Sequence, residues 1–231
     1  MTITQLTDRL WRVQPAFGQC WIWRDGDEVT LVDAGPPGSA PVIAAALNEL
    51  GLDTSDVVRL VLTHFHVDHA GSAAEVRAWG AEVLAHAGDA PVVSGEVPEP
   101  QPPLLPSEEQ LFVEVGGGAS APPCAVDREL DGGDVLPFGG GAGVVHGPGH
   151  TPGSIALHLP SAGVLFTGDT IAEHGGTFIL GPFNHDRAQA AESFRLLAAL
   201  DTEIACFGHG EPIVAAAGER LRTVTDLGPF A

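Results

Sequence analysis

The chain has 231 residues, of which 44% are hydrophobic, and carries a formal net charge of −20 from 30 acidic and 10 basic residues. That length predicts one large domain or two small ones with a full core, and no apolar run approaches the ~20 residues of a membrane span. The basic residues are all arginine and are scattered, so the field repels phosphate backbones and argues against nucleic acid as a partner.

The first thirteen residues show neither the basic nor the apolar region of a secretory signal. The three cysteines, Cys20, Cys124 and Cys206, have no CxxC spacing. An odd, sparse count fits a reducing cytoplasm better than a disulfide scaffold, and a cytoplasmic protein is expected.

Residues 3–13 read as a first strand. Residues 20–24 and 28–32 read as a hairpin around Asp25-Gly26-Asp27, ending at Asp33-Ala34-Gly35. Residues 39–50 follow as an amphipathic helix with Val42, Ala46, Leu47 and Leu50 on one face and Gly51 as its stop. Residues 57–62 form a buried strand, 73–79 a short helix and 82–85 a short strand. Prolines dominate residues 96–106, and 116–123 are rich in Gly and Pro. With 107–115 between them they predict an insertion, either a substrate lid or a plain excursion between two halves. The second half restarts with strands at 143–146, 154–159 and 164–167, a helix at 188–200, a strand at 203–207 and a closing helix over about 213–225. This alternation in two comparable halves predicts sheets covered by helices.

The chemistry concentrates in residues 61–71, VLTHFHVDHAG, where His64, His66, Asp68 and His69 fall on six consecutive positions at a strand-to-helix turn. Alternation along the extended part lets His64 and His66 point the same way. Asp68 and His69 fall where the chain turns into the helix. Imidazole nitrogen and carboxylate oxygen are ligands that zinc, iron and manganese accept. His150, Asp169 and His209 each follow an apolar strand and stand near a glycine, which lets the backbone turn sharply towards a shared centre.

In this order the motifs His64-Phe65-His66-Val67-Asp68-His69, Gly149-His150-Thr151-Pro152-Gly153-Ser154, Gly168-Asp169-Thr170 and Gly208-His209-Gly210 resemble those of the metallo-β-lactamase-fold hydrolase superfamily. The resemblance implies a single α/β domain over 1–231, an αββα sandwich of two mixed sheets covered by helices, with the insertion at about 96–123. It also implies two divalent ions at one sheet edge, zinc first, with iron or manganese as alternatives. His64, His66 and His150 look like ligands of the first ion. Asp68, His69 and His209 look like ligands of the second, with Asp169 as the bridge. Asp33 looks like the family's structural carboxylate behind the site. His86, His146, His158, His174 and His185 match no ligand motif and read as ordinary surface or loop residues, although His174 and His185 could face substrate. Cys206 reads as a core thiol.

Departures narrow the branch. Asp169 stands where the resemblance puts cysteine or serine in true β-lactamases. The chain ends soon after His209, without room for the glutathione-binding domain of typical glyoxalase II enzymes. It contains no tyrosine, unlike typical acyl-homoserine lactonases, and His66 replaces the glutamate of the flavodiiron branch. A compact glyoxalase II-like hydrolase remains, acting on a small ester, thioester or lactone through a hydroxide held between the ions, with Asp68 orienting it and taking its proton. The alternatives are a mononuclear iron persulfide dioxygenase on the same fold and a non-catalytic metal-binding or sensor module. A small-molecule substrate is the only partner expected, with neither nucleic acid nor membrane.

Overall fold

The computed structural model describes residues 2–115 and 117–231. Met1, and Gly116 at the head of the expected Gly- and Pro-rich run, lie outside the described residues. The chain divides into two compact units, one of Met1–Pro98 and Ser120–Leu130, the other of Glu99–Ala119 and Asp131–Ala231.

The first unit holds a seven-stranded sheet in sequence order: β1 (Thr2–Gln5), β2 (Leu10–Gln14), β3 (Cys20–Asp25), β4 (Glu28–Val32), β5 (Val57–Val61), β6 (Glu82–His86) and β7 (Arg128–Leu130). The strands from β1 to β4 pair antiparallel and those from β4 to β7 parallel. The helices α1 (Ala40–Glu49), α2 (Val67–Ala70), α3 (Ala73–Arg77) and α4 (Ala90–Val93) belong to the same unit. Parallel strands need such crossovers, because a tight turn cannot bring the chain back to the starting edge. On α1, Ile43, Ala46 and Leu47 are among the buried residues and form one stripe at helical spacing. They join Leu31, Leu60 and Val83 of β4, β5 and β6 in one apolar cluster. Fully burying a side chain such as Leu47 contributes roughly 1.5–3 kcal/mol. Val42 and Leu50, expected on the same stripe, are only partly buried at its margins.

The single strand expected over 3–13 is instead two strands, β1 and β2. Leu6 N–H and Thr7 N–H both donate to the Leu10 carbonyl, at 2.9 and 3.2 Å, and fold the chain back on itself. The Thr7-Asp8 pair supplies the turn chemistry, with Thr7 Oγ1 accepting from Arg9 N–H at 3.1 Å.

The second unit contains α5 (Glu109–Glu114), β8 (Val135–Leu136), β9 (Ala142–His146), β10 (Ile155–Leu159), β11 (Val164–Phe166), β12 (Ala172–His174), β13 (Thr177–Ile179), α6 (Arg187–Ala198), β14 (Ile204–Cys206) and α7 (Ala217–Arg222). Its main sheet has the order β14-β11-β10-β9-β8, and β12 with β13 forms a separate hairpin. Only the β11–β14 pair is parallel in the main sheet. Phe194 and Leu197 of α6 and Leu221 of α7 pack with Leu165 and Ala205 in one core.

The closing helix is shorter than expected. Ile213 exchanges two backbone hydrogen bonds with Ala205, at 2.9 and 3.0 Å, so the chain leaves His209 as an added sheet bridge. Helix α7 begins only after Ala216, whose φ of 54° lies in the left-handed region. Both sheets are mixed and accompanied by helices, the α/β class expected. Among the described residues no helix is long and apolar enough to cross a membrane.

Candidate metal centre

In the first unit the parallel strands β4, β5 and β6 run in register, with Val32 opposite Val61 and Val61 opposite Leu84. Their carboxyl ends therefore share one edge, the position at which α/β sheets present ligand-binding residues. Asp33 follows β4, the His64–His69 turn follows β5, and Asp89 follows β6. The turn is made by α2, which begins at Val67, so Asp68 and His69 lie inside this helical turn rather than at the head of a longer helix. Gly71 is required here, because a Cβ would lie 2.3 Å from the Val67 carbonyl and 2.4 Å from Pro37 Cδ.

Asp33 is 1% exposed and has a φ of 62°, a left-handed conformation that Asp tolerates better than most residues. Its carboxylate accepts from Thr63 N–H at 2.8 Å, from the Thr63 hydroxyl, and from His69 Nδ1 at 2.8 Å. The Thr63 hydroxyl spends its hydrogen on Asp33, so at 3.0 Å it accepts from His64 Nδ1. One carboxylate thus holds Nδ1 of two histidines as the donor and leaves each Nε2 with the lone pair a metal needs. The rings of His64 and His69 stand 4.1 Å apart, and those of His64 and His66 4.7 Å apart. Asp68 Oδ2 lies 3.7 Å from His69 Nε2.

Asp89, 1% exposed, accepts from Phe65 N–H at 3.2 Å and secures the backbone between His64 and His66. Sequence reasoning missed it, although Ala87-Gly88-Asp89 after an apolar strand repeats the Gly/Asp strand-end signal used for Asp169. Burial, together with the Asp33 and Asp68 carboxylates, pushes the Cys20 thiol well up and keeps it protonated.

In the second unit the register of β11 with β14 pairs Phe166 with Cys206. Asp169 and His209 follow these partners by equal offsets, and His209 Nε2 lies 3.4 Å from Asp169 Oδ2. His150, in the turn before β10, brings its Nε2 to 3.8 Å from the same oxygen. His150 and Asp169 are buried, whereas the His209 side chain is 37% exposed. Two ligands of one tetrahedral ion with bonds of about 2.1 Å lie about 3.4 Å apart. The separations within each unit suit atoms that share an ion and are too long for good hydrogen bonds.

The Asn184 side chain, 0% exposed, donates its amide to the carbonyls of Gly181 at 2.7 Å and Phe230 at 3.4 Å. Its oxygen faces His150 Nδ1 at 3.3 Å, which makes Nδ1 the donor and again gives Nε2 the lone pair. No spacing in the sequence pointed to Asn184. Glu173 grips the His209 turn: its N–H donates to the His209 carbonyl at 3.1 Å and its carboxylate accepts from Glu211 N–H at 2.7 Å.

The remaining histidines take other places. His86, 8% exposed at the end of β6, accepts from Gly88 N–H at 3.0 Å. His146 and His158 are strand residues that donate to the Pro152 and Asp201 carbonyls. His86 is therefore not the surface or loop residue expected, whereas His146 and His158, partly exposed on their strands, are surface residues. His174 is exposed, and burial holds the His185 imidazole below its ordinary pKa. Cys206 is fully buried in β14, as expected.

The metallo-beta-lactamase superfamily profile matches residues 13–209, a span that ends on the last candidate ligand. The chain is 31% identical to a Bacillus subtilis (strain 168) protein named probable metallo-hydrolase YflN, over 85% of this chain and 80% of that one. It is 32% identical to a hydroxyacylglutathione hydrolase of Rhodobacter capsulatus over 82% of its own length, but spans only 60% of that relative. A variant metallo-beta-lactamase from Cronobacter sakazakii has the same fold, with a TM-score of 0.71 at 23% identity over 91% of this chain and 81% of its own. With the profile covering most of its length, the chain belongs to the metallo-beta-lactamase superfamily.

Proposed function

We propose that the chain is a metal-dependent hydrolase of a small ester, thioester or lactone, working as one domain with two divalent ions. His64, His66 and His150 would hold the first ion, and Asp68, His69 and His209 the second, with Asp169 shared between them. The observation that carries this reading is the anchoring of Nδ1. Asp33, Thr63 and Asn184 fix His69, His64 and His150 in the tautomer that presents Nε2 as an electron-pair donor. A set of imidazoles with two carboxylates suits zinc and is accepted by iron and manganese.

When bound, such ions lower the pKa of water to about 7 and polarise a carbonyl oxygen. The chain's own residues supply orientation and proton transfer. The Asp68 side chain, 17% exposed, would take the proton of the attacking water. The same proton then passes to the departing oxygen or sulfur. Asp33 is withdrawn behind His69 and holds that ring still. Asp169 Oδ2, within 3.8 Å of the imidazoles of both His150 and His209, is the oxygen suited to bridging.

A panel of esters, thioesters, lactones and persulfides, run on metal-verified protein with oxygen monitored, tests the reading. Hydrolysis of one of the first three classes without oxygen uptake is expected. Oxygen consumption with a persulfide would replace the reading with the iron dioxygenase alternative.

A further inference from the structure

Glu108 lies in the 99–119 segment, yet its side chain is 0% exposed. A buried carboxylate must be paired and hydrogen-bonded, and every group that meets this need binds a different piece of backbone. Arg187, the first residue of α6, forms an ion pair with Glu108 and also donates to the Pro103 carbonyl at 2.8 Å. Leu105 N–H donates to Glu108 at 2.7 Å and Phe183 N–H at 2.8 Å. Phe183 has a φ of 68°, a left-handed conformation that a bulky side chain disfavours, and its ring packs edge-on against Phe112 of α5, 5.2 Å between centroids.

The segment gripped in this way, residues 181–187, backs two candidate ligands of the second unit. Gly181 N–H donates to the Asp169 carbonyl at 3.2 Å, His185 N–H to the His150 carbonyl at 3.2 Å, and Asp186 N–H to the Gly149 carbonyl at 2.9 Å. Asn184, next to Phe183, faces His150 Nδ1. Gly149 has a φ of 126°, and a Cβ there would lie 2.1 Å from Ala190 N of α6, so His150 has no slack on its other side.

We propose that Glu108 is a positioning residue that sets metal affinity through His150. By clamping Phe183 and Arg187 it fixes Asn184, and Asn184 fixes the tautomer and aim of His150. The 99–119 segment is then a structural part of the metal centre's support, tied to it through the buried Glu108 carboxylate, which holds both Arg187 and Phe183. This inference rests on His150 being a metal ligand.

The test is competition for Zn²⁺ between the protein and a chromophoric chelator, with the absorption spectrum of the Co²⁺-substituted protein as a second readout. Loss of a group that orients a ligand histidine weakens metal binding by about 10–100-fold. Glu108→Ala should show this loss for one ion with an altered Co²⁺ spectrum. Asn184→Ala should show it too, and the double variant should lose little more, because both act on one path. A folded Glu108→Ala protein with wild-type affinity and spectrum would overturn the proposal. If that variant does not fold, hydrogen exchange on the wild-type chain decides. Linkage is reciprocal, so metal loading should slow exchange of the Leu105 and Phe183 amides by the same 10–100-fold, and unchanged exchange would overturn the proposal. A wild-type chain that binds no metal would instead sink the functional reading itself.

Discussion

Substitution Asp33→Asn isolates the role of one buried carboxylate. Asn tolerates the left-handed backbone at this position, where φ is 62°, and it matches Asp in size, so the fold should persist. The two oxygens of Asp33 face two obligatory donors, Thr63 N–H at 2.8 Å and His69 Nδ1 at 2.8 Å. Asn offers one oxygen and one NH₂. With the oxygen on Thr63, the NH₂ faces His69 and moves the ring proton to Nε2, the atom needed for the metal. Turned the other way, two N–H groups oppose each other in a site where Asp33 is 1% exposed. The metal-free protein escapes by changing tautomer, so its melting temperature should change little. Metal binding must reverse that change and give up a hydrogen bond, for about 1.5–3 kcal/mol, or roughly 10–150-fold in affinity. The assay is Zn²⁺ titration against a chromophoric chelator, with calorimetric melting of the metal-free protein beside it. Two ions bound with wild-type affinity would refute the tautomer argument.

Asp169→Ala should lose the second ion and at least ~100-fold in turnover, read by elemental analysis and steady-state kinetics; two tightly held ions with near-normal turnover would show that Asp169 does not bridge. Gly210→Ala should lower stability by roughly 1–3 kcal/mol, because φ is +91° and the new Cβ would lie 2.1 Å from the Glu173 carbonyl. An unchanged melting temperature would contradict that packing. All three cysteines are buried thiols outside any disulfide, and burial pushes the Cys124 thiol up to about 11. At pH 8 only about one Cys124 in a thousand is then thiolate, so a thiol-specific disulfide reagent should label the native protein slowly and all three cysteines after unfolding. Rapid native labelling would contradict the burial.

What could be read from the chain follows from how local each signal is. His64, His66, Asp68 and His69 are separated by one turn of backbone, and alternation plus a helical turn is enough to gather them. Asp169 and His209 were readable because each follows an apolar strand by the same short offset. Asn184 and Glu108 were not, since their importance lies in partners 34 and 79 residues away, which no local period encodes. Asp89 is legible in the same way, since it follows an apolar strand and a glycine. The closing helix failed for a related reason: Ile213 satisfies its backbone on Ala205, a long-range bond that overrides helical propensity. The hairpin of β3 and β4 held because Gly26, with a φ of 64°, makes its turn locally.

Elemental analysis of protein purified without chelators tests the central claim most directly. The account predicts two divalent transition-metal ions per chain, removed by a strong chelator together with hydrolytic activity and restored with it on readdition. Protein that carries no transition metal, or one iron that supports oxygen uptake without hydrolysis, would contradict it.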